Sequence, residues 1–214
     1  MVKKSFFITF EGSDGCGKTT QSVLLIKKLK NMGCDVVHTR EPGGTVVAEV
    51  LRKILLNPES KISPLTELLL YESCRAQHTE EIITPALKSG KIVICERYAD
   101  ATVAYQGFGR GLDIKMIMNL NKIATNNLVP DLTVYFDSDI KKGLARAKLR
   151  GKDRLENENL LFHKRVRDGY IWLVKKFPKR FIKIDADASV KKISKCILDI
   201  VIKKIKVGTT DERR

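Results

Sequence analysis

The chain has 214 residues, 43% of them hydrophobic, and a formal net charge of +15. That apolar content suffices for the core of one domain, and no apolar stretch reaches the length of a membrane span. Five cysteines without a C-x-x-C pair argue against a disulfide framework, and three scattered histidines (His38, His78, His163) form no metal-ligand pattern. The first residues, Met1-Val2-Lys3-Lys4-Ser5, run straight into an apolar stretch, so no signal peptide and a cytoplasmic location are expected.

Residues 6–10 (F-F-I-T-F) read as a first strand, and G-S-D-G-C-G-K-T follows from Gly12 to Thr19. This is the spacing G-x-x-x-x-G-K-[ST] in the setting it requires, strand then loop then helix. Glycines reach backbone angles denied to other residues, so successive N–H groups can turn inward on a polyphosphate. The helix starting near Lys18 adds its positive N-terminal end. Gly12, Ser13, Asp14, Gly15, Cys16 and Gly17 form this cradle, Lys18 is expected to reach the β- and γ-phosphates of ATP, and the Thr19 hydroxyl to meet Mg²⁺. Cys16 is either a small packed side chain or a reactive thiol beside Lys18. The helix runs to about residue 32, where Gly33 ends it. A second strand covers 36–39. R-E-P-G-G-T (40–45) is a loop, and a helix then runs to about 56, closed by Asn57-Pro58.

Residues 64–88 read as a long helical region bent at Pro85, and 91–95 as a buried third strand. The segment after it, carrying Glu96, Arg97, Tyr98, Thr102, Tyr105 and Gln106, is read as loop. A helix at 112–125 and a fourth strand at 132–136 follow. Asp139 is the expected cap of a helix to about 150. The polar stretch 151–159 suits a flexible flap. Then come a helix at 160–177, a fifth strand at 181–184, and a last helix with Ile193, Cys196, Ile197, Ile200 and Val201 on one face. Residues 208–214 are expected to fray.

Five strands separated by helices predict an α/β fold of the P-loop NTPase type: three layers, with a five-stranded parallel sheet flanked by helices. One domain is expected over 1–207, with the flap at about 146–159. In such sheets ligands collect beyond the carboxyl ends of the strands. There the sequence gathers Asp14, Arg40, Glu96 and Arg97. Tyr71 and Arg75 share a helix face, and Arg146, Arg150 and Arg154 cluster before and inside the flap. Arginine forks match phosphate oxygens, and phosphoryl transfer needs positioning and charge neutralisation above all. No serine, histidine and acid set suggests acyl chemistry. The pattern therefore points to transfer of a γ-phosphoryl group to a second phosphorylated ligand. Blander readings stand beside it: a solvated Arg40, a solvated helix face for Arg146 and Arg150, and a core role for Tyr71. The charge of +15 also permits a P-loop ATPase that binds nucleic acid, but no long basic block with interleaved aromatics supports nucleic acid as a partner. A kinase for another nucleotide and a non-enzymatic nucleotide binder complete the alternatives.

At this point the residues resemble thymidylate kinase. The likeness rests on F-I-T-F-E-G-S-D-G-C-G-K-T-T, T-R-E-P-G-G-T, Y-E-S-C-R-A-Q-H, E-R-Y, A-Y-Q-G-F-G-R-G-L and P-D-L-T-V-Y-F-D, with D-R-L-E and F-H-K-R-V-R-D-G-Y toward the end. It covers nearly the whole chain. The resemblance implies a nucleoside monophosphate kinase-like fold and the reaction ATP plus dTMP giving ADP plus dTDP, with Mg²⁺, usually in a homodimer. It implies that Lys18 grips the donor phosphates, Arg97 bridges donor and acceptor, and Arg40 holds the dTMP phosphate. Arg75 and Thr102 meet the thymine edge, with Tyr71 as the aromatic ring on its face. Tyr105 and Gln106 line the sugar side, and Tyr105 crowds a ribose 2′-OH. Asp14 orients the sugar 3′-OH or a metal-bound water, and Arg146 attends the ATP. Members of this family carry a catalytic arginine in the phosphate loop or in the flap (the LID). With Gly15 at the loop position, the chain resembles the bacterial kind with the arginine in the flap, where Arg150 and Arg154 are the candidates and Arg154 is preferred. Glu96, a candidate metal ligand with Thr19 and Asp14, stands where the family usually has the shorter Asp, and Cys74 where a polar or acidic residue is frequent.

Overall fold

The structure, a computed structural model, describes residues 5–148 and 153–207. Its five strands are β1 (Phe6–Gly12), β2 (Val36–Arg40), β3 (Ile92–Glu96), β4 (Leu132–Asp137) and β5 (Phe181–Asp185). All neighbours pair in parallel, in the order β2-β3-β1-β4-β5. β1 is central and buried along its whole length, which its run of bulky apolar residues demands. Side chains alternate across the sheet. Phe6, Ile8 and Phe10 enter one core with Leu25, Leu29, Phe136, Ile197 and Val201, and Phe7 enters another with Ile83, Val93 and Tyr98. A further core gathers Leu68, Tyr71, Tyr105, Phe162 and Tyr170.

The helices are α1 (Lys18–Asn31), α2 (Val46–Leu56), α3 (Pro64–His78), α4 (Thr84–Lys88), α5 (Ala99–Thr102), α6 (Ile114–Ala124), α7 (Ile140–Lys148), α8 (Leu160–Lys176) and α9 (Val190–Val207). Their starts follow from side-chain caps. Thr45, Ser63, Asp113 and Asn159 each accept a backbone N–H from the first turn, and Asp139 accepts that of Lys142 at 2.9 Å. Gly33, with a φ of 79°, follows the end of α1.

Two segments differ from the sequence expectation. The helical stretch 64–88 is interrupted by a π-helical turn at Thr79–Ile83, one turn before Pro85. The Thr84 N–H there donates to the Thr79 carbonyl, so the ladder widens just ahead of the residue that has no N–H to give. The segment after β3, read as loop, is helical: α5 continues into a π-helical turn at Val103–Gly109. Tertiary packing overrides local pattern here. Tyr105 meets Phe162 and Tyr170 edge-on, and Phe108 lies 5.6 Å from the Trp172 ring of α8. Residues 208–214 lie outside the described residues, as does 149–152 within the expected flap.

Phe10 is fully buried beneath the sheet and lies 5.2 Å from the Phe136 ring. Phe10→Ala should lower the unfolding free energy by about 3–5 kcal/mol. A urea titration with an unchanged m-value checks this, and a midpoint equal to that of the unmutated chain would contradict the packing described.

Candidate active site

The carboxyl ends of β1, β2 and β3 open onto a cavity of about 590 Å³. The loop after β1 forms one wall. Lys18, the first residue of α1, turns its Nζ back onto the carbonyls of Ser13 (2.7 Å) and Gly12 (3.1 Å). Cys16 is buried against the core, with its Sγ 3.6 Å from the same Nζ. Gly15 has a φ of 70°, and a Cβ on it would strike the Gly143 carbonyl of α7. Helix α7 therefore rests directly on the loop. From its next turn Arg146, half exposed, donates to the Gly15 carbonyl at 3.1 Å and to Asp187 at 3.3 Å.

Register places Glu96 beside both Phe10 and Arg40. Its side chain crosses to α1, accepting from Thr19 Oγ1 at 2.6 Å and Ser22 Oγ at 2.7 Å, and meets His38 Nε2 at 3.0 Å. Burial would raise this carboxyl, but the bonds from His38, Thr19 and Ser22 hold it at about 2. Among the described residues no group of three or more His, Cys, Asp or Glu is arranged to hold a metal. The adjacent oxygens of Thr19 and Glu96 nevertheless fit a hard divalent cation, such as Mg²⁺, that takes few protein ligands and completes its shell with water and phosphate oxygens.

Arg97, the next residue, has a φ of 69°, a left-handed conformation that costs a non-glycine residue about 1–3 kcal/mol. Three hydrogen bonds hold it there. The Arg97 N–H donates to the Phe10 carbonyl, the Cys95 thiol donates to the Arg97 carbonyl, and the Tyr98 N–H donates to an oxygen of the buried Glu11 carboxyl group. Burial, with Asp100 nearby, pushes the Glu11 carboxyl up to about 8. The Arg97 guanidinium donates to the Gly12 carbonyl at 2.8 Å and to Asp14 at 2.6 Å, and lies 4.9 Å from the Tyr105 ring centre. Tyr105 donates its hydroxyl to the other Asp14 oxygen at 3.3 Å. Burial opposes the charge on Asp14, but Arg97 and Lys18 hold its carboxyl at about 2. Burial pushes the Tyr105 phenol well up, so it remains a donor.

The far half of the cavity is lined by Arg40, Tyr71, Arg75, Thr102, Tyr105 and Gln106, all expected from the sequence. Arg75 is 1% exposed and clamped between Glu41 (2.9 Å) and Glu72 (2.8 Å), and it also donates to Asn121 and to the Tyr98 carbonyl, which leaves one N–H of its Nη2 free of these bonds. Glu41 also meets His78 at 3.1 Å. Arg40 is half exposed on Glu49 at 2.9 Å. Tyr71 belongs both to the core and to the cavity wall. Cys74 packs against the Ala48 carbonyl of α2 rather than supporting Arg75.

Two expectations concern the flap arginines. Arg150 lies outside the described residues. Arg154 is not among the residues lining the cavity: its guanidinium donates to the Leu55 carbonyl at 3.0 Å and pairs with Glu67 at 2.6 Å. Glu41, which follows Arg40 at the end of the second strand, lines the cavity, and sequence reasoning missed Arg52 and the wall formed by Ala186, Asp187, Ala188 and Val190. Arg52 reads in sequence as an ordinary helix-surface charge. Only the hydrogen bond from its Nη1 to the Pro42 carbonyl, at 2.7 Å, turns it inward.

A family model described as "Thymidylate kinase" matches residues 10–197. The thymidylate kinase of Thermoanaerobacter sp. (strain X514) is 50% identical over 200 residues, covering 94% of this chain and 98% of that protein. The thymidylate kinase of Geobacter sp. (strain M21) is 52% identical over 193 residues, covering 86% of each. The crystal structure of thymidylate kinase from Ehrlichia chaffeensis superposes with a TM-score of 0.77 at 37% identity, covering 92% of this chain and 98% of that one.

The Glu96 carboxyl lies below its ordinary value of 4.5 in the folded chain, so its charge adds stability above about pH 4.5 that is lost as pH falls toward about 2. Glu96→Gln should therefore show a smaller drop in urea midpoint than the unmutated chain between about pH 5.5 and about pH 3.5. Equal drops would remove Glu96 from the acid sensitivity of the fold.

Proposed function

The chain belongs to the thymidylate kinase family, and from that premise we propose that it transfers the γ-phosphoryl group of ATP to dTMP, giving ADP and dTDP as a step toward dTTP. The observation that carries this reading is one cavity whose lining joins the phosphate loop to Arg40, Arg75 and Arg97. An acceptor phosphate oxygen attacks the γ-phosphorus in line while the bond to the bridging oxygen of ADP breaks, with no covalent enzyme intermediate. The backbone from Gly12 to Gly17 cradles the donor phosphates, and Lys18 leaves the loop carbonyls to follow the charge of the transferring group. Arg97 stands between the two nucleotides. Its backbone is fixed by three hydrogen bonds, so little reorganisation is needed as charge develops.

Thr19 and Glu96 would hold Mg²⁺, which neutralises charge on the donor phosphates and orients them. Arg146, already on the phosphate loop, is the flap-side cation that faces the donor. Arg40 takes the acceptor phosphate, and Arg75 and Thr102 meet the edge of the base, with Tyr71 against its face. Tyr105 crowds the position of a ribose 2′-OH, while Asp14, held ionised, accepts from the sugar 3′-OH. Two copies of the chain meet, on this reading, through the exposed apolar face of α2 and α3, which carries Val46, Val47, Val50, Ile54, Leu65 and Leu69.

Coupled ADP release with each common nucleoside monophosphate tests the reaction, and dTMP should be the preferred acceptor. Arg97→Ala and Lys18→Ala should each lose at least about 100-fold in kcat, the scale of removing one electrostatic stabiliser. Purified protein that leaves dTMP untouched with ATP and Mg²⁺ in excess would overturn the assignment. Sedimentation should give a dimer that Val50→Glu converts to monomer, and a monomeric unmutated chain would count against the proposed face.

A further inference from the structure

Glu67 lies on α3, is 0% exposed and is not among the cavity-lining residues. Both of its oxygens are doubly engaged. Oε1 accepts from Gln106 Nε2 at 2.8 Å and Arg110 Nε at 3.1 Å. Oε2 accepts from Arg110 Nη2 at 3.0 Å and pairs with Arg154 Nη1 at 2.6 Å. These partners come from separate parts of the chain. Gln106 is a wall of the acceptor half of the cavity, and Arg154 belongs to the later part of the expected flap, just ahead of α8. Arg110 also pairs with Glu158 of that segment. A buried carboxylate can only accept, so it also fixes the Gln106 amide with its NH₂ toward Glu67, leaving the carbonyl oxygen for a molecule in the cavity. Burial would raise the Glu67 carboxyl, but the bonds from Arg110, Gln106 and Arg154 hold it below its ordinary range.

We infer that Glu67 is a positioning residue: its carboxylate locks the Gln106 wall of the acceptor site and the segment from Asp153 to Glu158 into one arrangement, with Arg154 acting as a tether rather than as a group on the donor. This rests on the phosphoryl-transfer reading above and adds a residue to it. The phosphate loop makes no contact with this cluster through the bonds described, so donor binding is left out of the coupling.

Three variants test it: Glu67→Gln, Arg154→Met and the pair together. Each is first shown to be folded by its thermal melt. Glu67→Gln should raise KM for dTMP and lower kcat, each at least about fivefold, with KM for ATP within about twofold. Arg154→Met should lower kcat while leaving KM for dTMP near that of the unmutated enzyme. The double variant should have a kcat no lower than the worse single one, because both break the same tie. Multiplying losses, an ATP KM that rises in step, or unchanged kinetics in folded Glu67→Gln would overturn the inference. If Glu67→Gln does not fold, Arg110→Lys serves: a lower kcat at constant ATP KM supports the tie, and unchanged kcat overturns it. Hydrogen exchange gives a readout independent of the reaction. The Arg154 amide, bonded to the Leu56 carbonyl, should exchange at least about tenfold faster in Glu67→Gln or Arg110→Lys. Unchanged exchange sinks the inference even if dTMP is not the acceptor, whereas faster exchange in an enzyme silent toward dTMP would spare the tie and discard the reaction.

Discussion

Positive charge around this cavity is held in place by carboxylates. Arg97 sits on Asp14, Arg75 on Glu41 and Glu72, Arg40 on Glu49, and Arg146 on Asp187. A guanidinium buried without a counter-charge would cost several kcal/mol, on the order that breaking a buried pair costs. The pairs differ in how readily they can be exchanged. Arg75 and Glu41 are 1% and 3% exposed, so that pair is permanent scaffold. Arg40 and Glu49 are about half exposed, and phosphate oxygens arriving from solvent can compete for that guanidinium with little desolvation. Burial thus separates arginines that shape the cavity from arginines free to change partner.

The sheet supplies the coordinates for this arrangement. β1 and β3 are neighbours, and their carboxyl ends deliver the phosphate loop and the Glu96–Arg97 pair to the same edge. The two residues then diverge. Glu96 turns to the hydroxyls of α1, where a cation would sit, and Arg97 turns to Asp14 and the Tyr105 ring. The left-handed φ of Arg97 makes that divergence possible, and the buried Glu11 helps to hold it through the Tyr98 amide. Strain at one backbone position is thereby supported by the central strand, the most deeply packed element of the fold.

Much of this was legible in the chain itself. The strands follow from short apolar runs, and the helix starts from Thr, Ser, Asp or Asn at caps. The phosphate loop follows from G-x-x-x-x-G-K-T set between a strand and a helix. Arg40, Arg75, Arg97, Tyr105 and Gln106 line the cavity as their motifs suggested. What was not legible depends on long-range contact. The segment after β3 has no helical periodicity strong enough to announce its helical turns, and its π-helical part at Val103–Gly109 packs on α8 through Tyr105 and Phe108. Arg52, Glu67 and Arg110 look like routine surface charges until tertiary structure buries or turns them. Arg154 and Arg146 are both flap-side arginines in sequence, yet one reaches the phosphate loop and the other a buried glutamate. Only the neighbours, remote in sequence, make that distinction.

The meeting of Gly15 with Gly143 couples the loop mechanically to α7. With α7 seated this close, a Cβ at position 15 would strike the Gly143 carbonyl, so the loop accepts no side chain there while the helix stays in place. The helix would first have to withdraw, and Arg146 would withdraw with it.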